Sequence, residues 1–349
     1  MAPAFHSTRH AIVFGGVILF FLALPIVLRG VGGVSQEESF RGISERAGDF
    51  DRIGRETFED HSDLDVFFCG SSLLELAVDP ELVTRQMSQA IGRPVKALLL
   101  PQAWQGPDMN YFVARALMER RRVKMLVIAA PAWVHRSNQP HVQLFRVVRY
   151  GDDPGALDGL SFRSRAAVYA DYVLGAPRQA LTLLRTNLVA PDTGRATGAR
   201  VGLGYEGGPF VPHEVSDPAV PPSESIDSEK SRDLFHFEGP PLSPYQFHFL
   251  LKTAELAREH GSLLVILHMP SPSERSVMIV PDRKLMPGII GDGVFFVGVP
   301  SARVFRNVPD REFFDYYQDE HMNLNGSELF TRAIIPALVK IYEQPTAIR

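Results

Sequence analysis

Short apolar runs with the character of buried strands alternate with helix-like segments along this chain, and this alternation limits the folds open to it more than any other feature. The runs are rich in leucine, β-branched and aromatic residues, and they lie at residues 65–69, 95–100, 125–130, 263–269 and 294–299. Helical patterns span 107–122 and 245–260, another helix starts at Asp79 and Pro80, and the last follows Gly326. We therefore predict an α/β fold, a three-layer sandwich with a mostly parallel, flavodoxin-like sheet.

The amino-terminal residues have a different character. From Ala11 to Leu28 the chain runs for 18 residues without a charge, about the length that crosses a hydrocarbon core of roughly 30 Å. The exit from this segment, LRGVGG, lacks the small-residue pattern at which a signal peptide is cleaved. We predict an uncleaved transmembrane helix in the cytoplasmic membrane, with the rest of the chain outside the cytoplasm, in a periplasmic or extracellular space.

The composition changes along the chain predict its domain organisation. An anchor at 1–34 is followed by a polar, charged stalk at 35–62 and an α/β domain at 65–345. An insertion at about 145–244 interrupts the domain; its first part is expected to be helical at 161–188, and its second part is rich in proline and glycine.

Charge and cysteine content exclude several classes of function. The formal net charge is −4, so the chain lacks the basic surplus of a nucleic-acid-binding protein. Cys69 is the only cysteine, which excludes an intramolecular disulfide and a cysteine-rich zinc site. The GLGYEG run at 202–207 has the letters of a dinucleotide fingerprint but follows no strand, and no Walker loop or His-Glu-x-x-His helix is present. We expect neither a metal nor a cofactor.

Two segments that fall at the carboxyl edge of the predicted sheet have residues suited to nucleophilic catalysis. Ligands of parallel α/β sheets bind at this edge, and a glycine turn there presents Ser71 and Ser72 directly after the first strand. An Asp-x-His segment, Asp319 to His321, lies directly ahead of the last helix. A serine hydroxyl is a weak nucleophile unless a base takes its proton and an acid orients that base. The fold would have to bring these segments together.

The loops after the second and third strands are the expected binding elements. The first loop contains Gln102, Trp104 and Gly106, and the second contains Trp133. Main-chain amides or side chains from these loops could stabilise a developing oxyanion. The two tryptophans could stack on sugar rings, with simple packing as the alternative.

These motifs and their order resemble those of the SGNH (GDSL-like) hydrolase superfamily. The GSSL run at 70–73 matches its Gly-x-Ser-Leu turn, which implies that Ser72 is the nucleophile. The final segment is similar to the Asp-x-x-His block of the superfamily, with one intervening residue fewer. The resemblance implies His321 as the base and Asp319 as the acid, with Asp315 as a second candidate for the acid. It also implies an oxyanion hole that includes the N–H groups of Ser72 and Gly106.

The shortened spacing and the H-x-N-x-x-G ending are similar to a membrane-tethered, extracytoplasmic branch that includes the teichoic-acid D-alanylation protein and the alginate O-acetylation proteins. The resemblance covers 65–134 and 245–345, and it departs from the superfamily where Pro131, Ala132 and Trp133 replace a Gly-x-Asn-Asp block. It implies a serine esterase or O-acyltransferase that acts on acyl esters of cell-envelope or exopolysaccharide glycans, beside a multi-pass membrane O-acyltransferase. The alternative is a non-catalytic scaffold that binds glycan or docks such an acyltransferase.

Overall fold

The protein is described by a computed structural model, and the chain divides into two units. The smaller unit comprises 1–43 and 142–198, and the larger comprises 44–141 and 199–349. The described residues are 7–30, 36–41, 50–102, 106–130, 157–166, 235–236, 244–270, 278–279, 293–298, 304–305, 308, 313–318 and 321–344.

Strands and helices alternate in the larger unit as the sequence predicts. The described strands are β1 (Leu64–Ser71), β2 (Ala97–Gln102), β3 (Val123–Ala129), β4 (Phe235–His236), β5 (Leu263–His268), β6 (Met278–Ile279), β7 (Val294–Gly298), β8 (Tyr317–Gln318) and β9 (His321–Met322). The named helices of the whole chain are α1 (Thr8–Gly30), α2 (Gln36–Arg41), α3 (Phe50–Phe58), α4 (Ser72–Ala77), α5 (Pro80–Ile91), α6 (Pro107–Met118), α7 (Pro244–Glu259) and α8 (Leu324–Tyr342).

A five-stranded sheet with the order β2-β1-β3-β5-β7 forms the centre of this unit, and all its neighbouring strands are parallel. The predicted α/β class with a mostly parallel sheet is therefore confirmed, and the strand order is compatible with a flavodoxin-like fold. Helices cover both faces of the sheet, and the side chains of β1 are accordingly apolar on both faces. Val66 and Phe68 join a core with Met87 of α5 and Phe330 of α8, whereas Cys69 contacts α6 on the other face.

Local signals fix where the helices begin. At α5 the carboxylate of Asp79 accepts hydrogen bonds from the N–H groups of Glu81 at 2.9 Å and Leu82 at 3.1 Å, as an N-cap residue does. The sequence predicts the last helix after Gly326, but the helix begins at Leu324, two residues before that glycine. Asn323 is its N-cap, and its side-chain oxygen accepts from the N–H of Gly326 at 3.0 Å.

The predicted transmembrane helix is not confirmed. Helix α1 overlaps the apolar amino-terminal segment. Among the residues that the structure describes, however, no helix is long and apolar enough to cross a membrane. The anchor stays a prediction from the sequence. Of the helix expected at 161–188, the described part is helical at 162–166, and the rest lies outside the described residues.

Part of the predicted stalk belongs to the larger unit. Helix α3 packs against α6, and Ile53 and Thr57 on α3 are fully buried. The buried guanidinium of Arg121 donates to the main-chain oxygens of Ser62 at 2.6 Å and Glu56 at 2.8 Å, which ties α3 and the start of β1 to the start of β3. The charged composition of 35–62 is compatible with a helical stalk, but it concealed the packing of this helix against α6 because only one face of the helix is buried.

Candidate functional site

The turn from β1 into α4 depends on the absence of a side chain at Gly70. A Cβ atom at this position would lie 2.7 Å from Cδ2 of Leu74 and 3.4 Å from Cβ of Ala129. Glycine therefore lets α4 begin immediately beyond β1 and fold back against it. The turn holds Ser71 and Ser72 at the carboxyl end of β1, between β2 and β3 in the sheet.

The two serines of this turn face different surroundings. Ser71 is the last residue of β1 and the N-cap of α4, yet its side chain makes no capping hydrogen bond. Ser72 is half-buried, and its Oγ lies 3.0 Å from Nε2 of His321, a residue 249 positions further along the chain. This distance suits transfer of the serine proton to the imidazole. The hydroxyl of Ser72 therefore contacts the histidine and does not cap the helix.

A short hairpin carries the histidine. β8 and β9 pair antiparallel, with Gln318 opposite His321 and Tyr317 opposite Met322, and β9 packs against α4. The hydroxyl of Tyr317 donates to the main-chain oxygen of Pro270 at 3.0 Å, which fastens the hairpin beside the end of β5. The hairpin thus places the imidazole over the nucleophile turn.

The H-x-N-x-x-G ending has a structural role in positioning this hairpin. Asn323 donates from its main-chain N–H to the oxygen of Tyr316 at 2.9 Å and from its side chain to the oxygen of Asp315. A Cβ atom on Gly326 would lie 2.5 Å from the oxygen of Tyr316. Only glycine allows the first turn of α8 to approach so closely, so this motif locks the histidine hairpin onto α8.

Helix α8 also holds the nucleophile side. The hydroxyl of Thr331 on α8 accepts a hydrogen bond from the N–H of Asp79 at 2.9 Å and donates to the oxygen of Ala77 at 3.4 Å. Ala77 is the last residue of α4, and Asp79 is the N-cap of α5. One helix therefore fixes the serine turn and the histidine hairpin relative to each other.

The acid partner of His321 is not placed by the described residues. Asp319 lies outside them. Asp315 is exposed, and its main-chain oxygen accepts a hydrogen bond from the side chain of Asn323. The Nδ1 atom of the imidazole, which an orienting acid would have to reach, is shielded from solvent.

The predicted binding residues are only partly described. Gly106 is buried at the N-cap of α6, and Trp104 and Trp133 lie outside the described residues. Gln102 was expected to contact substrate, but it is 1 % exposed and its side-chain nitrogen donates to the side-chain oxygen of Asn110 on α6. Its burial leaves no surface for direct contact with a large substrate.

Sequence reasoning missed a buried polar group at the start of α6. Asp108 is 1 % exposed, and its carboxylate accepts from the hydroxyl of Tyr245 on α7 at 3.0 Å. The first turn of a helix stabilises a buried carboxylate because unpaired N–H groups point towards it. Polar residues at 108 and 110 in an otherwise apolar helix were the available signal.

Neither a cysteine nucleophile nor a metal site is supported by the described residues. Cys69 is fully buried, and burial raises the pKa of its thiol far above the ordinary value, so it is no nucleophile. Within the described ranges, no group of three or more His, Cys, Asp or Glu side chains could hold a metal ion.

Fold and site together define an α/β protein with a serine–histidine contact at the carboxyl edge of a parallel sheet. No protein-family model matches the sequence, and no curated protein matches it either.

Proposed function

We propose that the chain is a serine-dependent enzyme that cleaves or transfers acyl esters, with Ser72 as the nucleophile and His321 as the general base. The observation that carries this proposal is the 3.0 Å distance between Oγ of Ser72 and Nε2 of His321. Two residues 249 positions apart meet at the edge of the sheet where α/β proteins bind their ligands. The packing of β1, α4, β9 and α8 produces this contact.

The proposed reaction has two steps. Oγ of Ser72 attacks the acyl carbon while Nε2 of His321 takes the hydroxyl proton, and collapse of the tetrahedral intermediate passes that proton to the departing alcohol. Water or a sugar hydroxyl then attacks the acyl-enzyme, loses its proton to the same nitrogen and releases Ser72. Water gives a free acid, and a sugar hydroxyl gives a new ester.

The histidine can accept this proton at Nε2 only as the tautomer that carries its hydrogen on Nδ1. We assign Asp319 as the acid that stabilises this tautomer, with Asp315 as the second candidate. The N–H of Ser72 lies in the first turn of α4, where helical N–H groups have no intrahelical acceptor. This group and the N–H of Gly106 are the proposed oxyanion donors.

The proposal also includes a class of substrate and a location in the cell. The resemblance to the SGNH superfamily and its tethered branch supports acyl esters of cell-envelope or exopolysaccharide glycans as substrates. It also supports a multi-pass membrane O-acyltransferase as partner. The uncharged segment at 11–28 supports insertion in the lipid bilayer, with the α/β unit outside the cytoplasm.

A fluorophosphonate probe tests the proposed nucleophile. The full chain, purified in detergent, is treated with the probe and its intact mass is measured. We expect one adduct on the wild type and none on Ser72→Ala or His321→Ala, because the probe reacts with an activated serine. Ser71→Ala is the matched control: it removes the neighbouring hydroxyl, which has no contact with His321, and should keep the adduct.

Two results would contradict the proposal. A folded wild type that gains no adduct would indicate a non-catalytic scaffold and would direct the search to a bound glycan or a docked acyltransferase. An adduct that persists in Ser72→Ala would place the reactive serine elsewhere.

A further inference from the structure

Two buried polar atoms without a partner lie next to the nucleophile turn. The hydroxyl of Ser71 and the side-chain oxygen of Gln102 are shielded from solvent and have no hydrogen-bond partner among the described residues. These residues are directly opposite each other in the β1–β2 pair, so their side chains lie on the same face of the sheet, about 4.8 Å apart at the backbone. That face is covered by α6.

The nitrogen of the same carboxamide is engaged. It donates to the side-chain oxygen of Asn110 on α6. Asn110 in turn donates from its main-chain N–H to the main-chain oxygen of Gly106 at 3.0 Å, and its main-chain oxygen accepts from the thiol of Cys69 at 3.6 Å. Gln102 therefore links the end of β2 to the turn of α6 that begins at Gly106.

This arrangement of buried amides is less stable than an apolar pair in the same space would be. A buried polar atom without a partner destabilises the folded state, whereas an apolar pair of similar shape is close to neutral. Leucine or methionine at 102 and 110 would fill the same space without an unpartnered oxygen. A buried polar pair that lowers stability at the edge of a site is typical of residues that are retained for function.

We propose that Gln102 is a positioning residue for the oxyanion hole. Its bond to Asn110 fixes the first turn of α6 and, through it, the N–H of Gly106. This inference rests on the proposed function, because it gives the amide pair a role only if Ser72 generates an oxyanion. An amide donor must be in place before negative charge develops, since reorienting it during the reaction adds to the barrier.

The test compares steady-state hydrolysis of p-nitrophenyl acetate with thermal stability, again with the full chain in detergent. The variant Gln102→Met/Asn110→Leu replaces both amides and leaves neither orphaned. We expect kcat to fall about 10- to 100-fold, as for a misplaced catalytic group, with KM within about twofold. Tm should not fall, because the variant removes the unpartnered oxygen and leaves no other amide atom without its partner. Thr57→Val is the matched control: it removes a buried hydroxyl on α3 that has no hydrogen-bond partner within the described ranges, and it should keep the wild-type kcat.

A second pair of variants decides the matter if the apolar double variant does not fold. Gln102→Asn shortens the amide and should lower kcat, and the exchange Gln102→Asn/Asn110→Gln restores the combined length and should recover it several-fold. A loss that the exchange does not recover would overturn the proposal.

The outcomes separate the two proposals. If the wild type hydrolyses the ester and Ser72→Ala does not, the proposed function stands. A kcat of the apolar double variant within threefold of the wild type would then overturn the role of Gln102 alone, as would a loss explained by a lower Tm. If the wild type has no Ser72-dependent activity, both proposals fail.

Discussion

Gly70 determines where Ser72 can lie, because the space that a side chain would occupy is filled by Leu74 and Ala129. The same reasoning applies at Gly326, where the oxygen of Tyr316 occupies the position of a Cβ atom. At Gly326 the obstacle is a main-chain oxygen, at Gly70 it is the side chain of Leu74, and each approach sets one side of the contact between Ser72 and His321. Single glycines therefore control the geometry of the site although they contribute no reactive atom.

Gly70→Ala should impair catalysis more than it impairs folding. Overpacking against Leu74 is expected to cost about 1–3 kcal/mol in the free energy of unfolding, and the shift of α4 would lengthen the distance from Ser72 to His321. Labelling by the fluorophosphonate probe should slow at least tenfold, by the sensitivity of reactions to placement. Gly261→Ala is the control, since that glycine has a φ of 65° and precedes β5 at the opposite edge of the sheet. Equal labelling rates in the two variants would contradict this account.

At the scale of helices and strands, local signals predicted more than contacts between distant segments did. The apolar runs and the cap at Asp79 predicted strands and helices to within a few residues, because burial and capping are properties of short segments. The sequence also predicts that Ser72 lies near His321. Ser72 directly follows the first strand and His321 directly precedes the last helix, and both positions fall at the carboxyl edge of the predicted sheet. The sequence did not reveal the packing of α3 against α6 or the hydrogen bond between Gln102 and Asn110. Both depend on individual side chains that meet only in the folded chain, and such contacts leave no periodic pattern in the sequence.

The docking of α3 depends on Arg121, whose side chain is fully buried. Besides its two main-chain acceptors it contacts the carboxylate of Asp60 at 3.2 Å. Hydrogen bonds from the side chain and main chain of Ser62 hold the pKa of that carboxyl far below its usual value. Arg121→Met should lower the free energy of unfolding by about 2–4 kcal/mol, because several hydrogen bonds to a buried cation are lost.

Urea unfolding would measure this loss, with Arg122→Met as the control at an exposed neighbouring arginine. The fluorophosphonate adduct should persist in the folded fraction, because Arg121 lies at the amino edge of the sheet, away from Ser72. A variant as stable as the wild type would show that α3 docks without this arginine.

Considered as a whole, the larger unit is closed by both ends of its chain. Asp65 at the start of β1 accepts from the hydroxyl of Tyr342 at the end of α8, from Arg93 at 2.8 Å, and from the N–H of Lys96 at 2.8 Å. The Nζ atom of Lys124 lies 3.7 Å from the centre of the Tyr342 ring. This cluster joins the first strand and the last helix of the unit at the amino edge, opposite the site, so it stabilises the fold without restricting the serine and histidine.

The Asp65 cluster should make stability depend on pH. Burial raises the pKa of Asp65, but the hydrogen bonds from Tyr342, Lys96 and Arg93 outweigh it and hold the pKa below its ordinary value. A carboxyl with a lowered folded-state pKa stabilises the fold fully above its unfolded pKa of about 3.9, and this contribution is lost as the pH falls through the folded value. Asp65→Asn should therefore be less stable than the wild type at pH 7, by about 1–3 kcal/mol.

Below pH 4 the difference between the two proteins should shrink, because acid removes from the wild type the charge that the variant already lacks. Urea unfolding at pH 7 and pH 3 measures both differences, and Asp63→Asn, at an exposed carboxylate two residues earlier, controls for the altered net charge. A difference between wild type and Asp65→Asn that stays constant over this range would mean that shape, and not charge, holds the ends of the unit together. The hydroxyl of Tyr342 would then be the group to remove next.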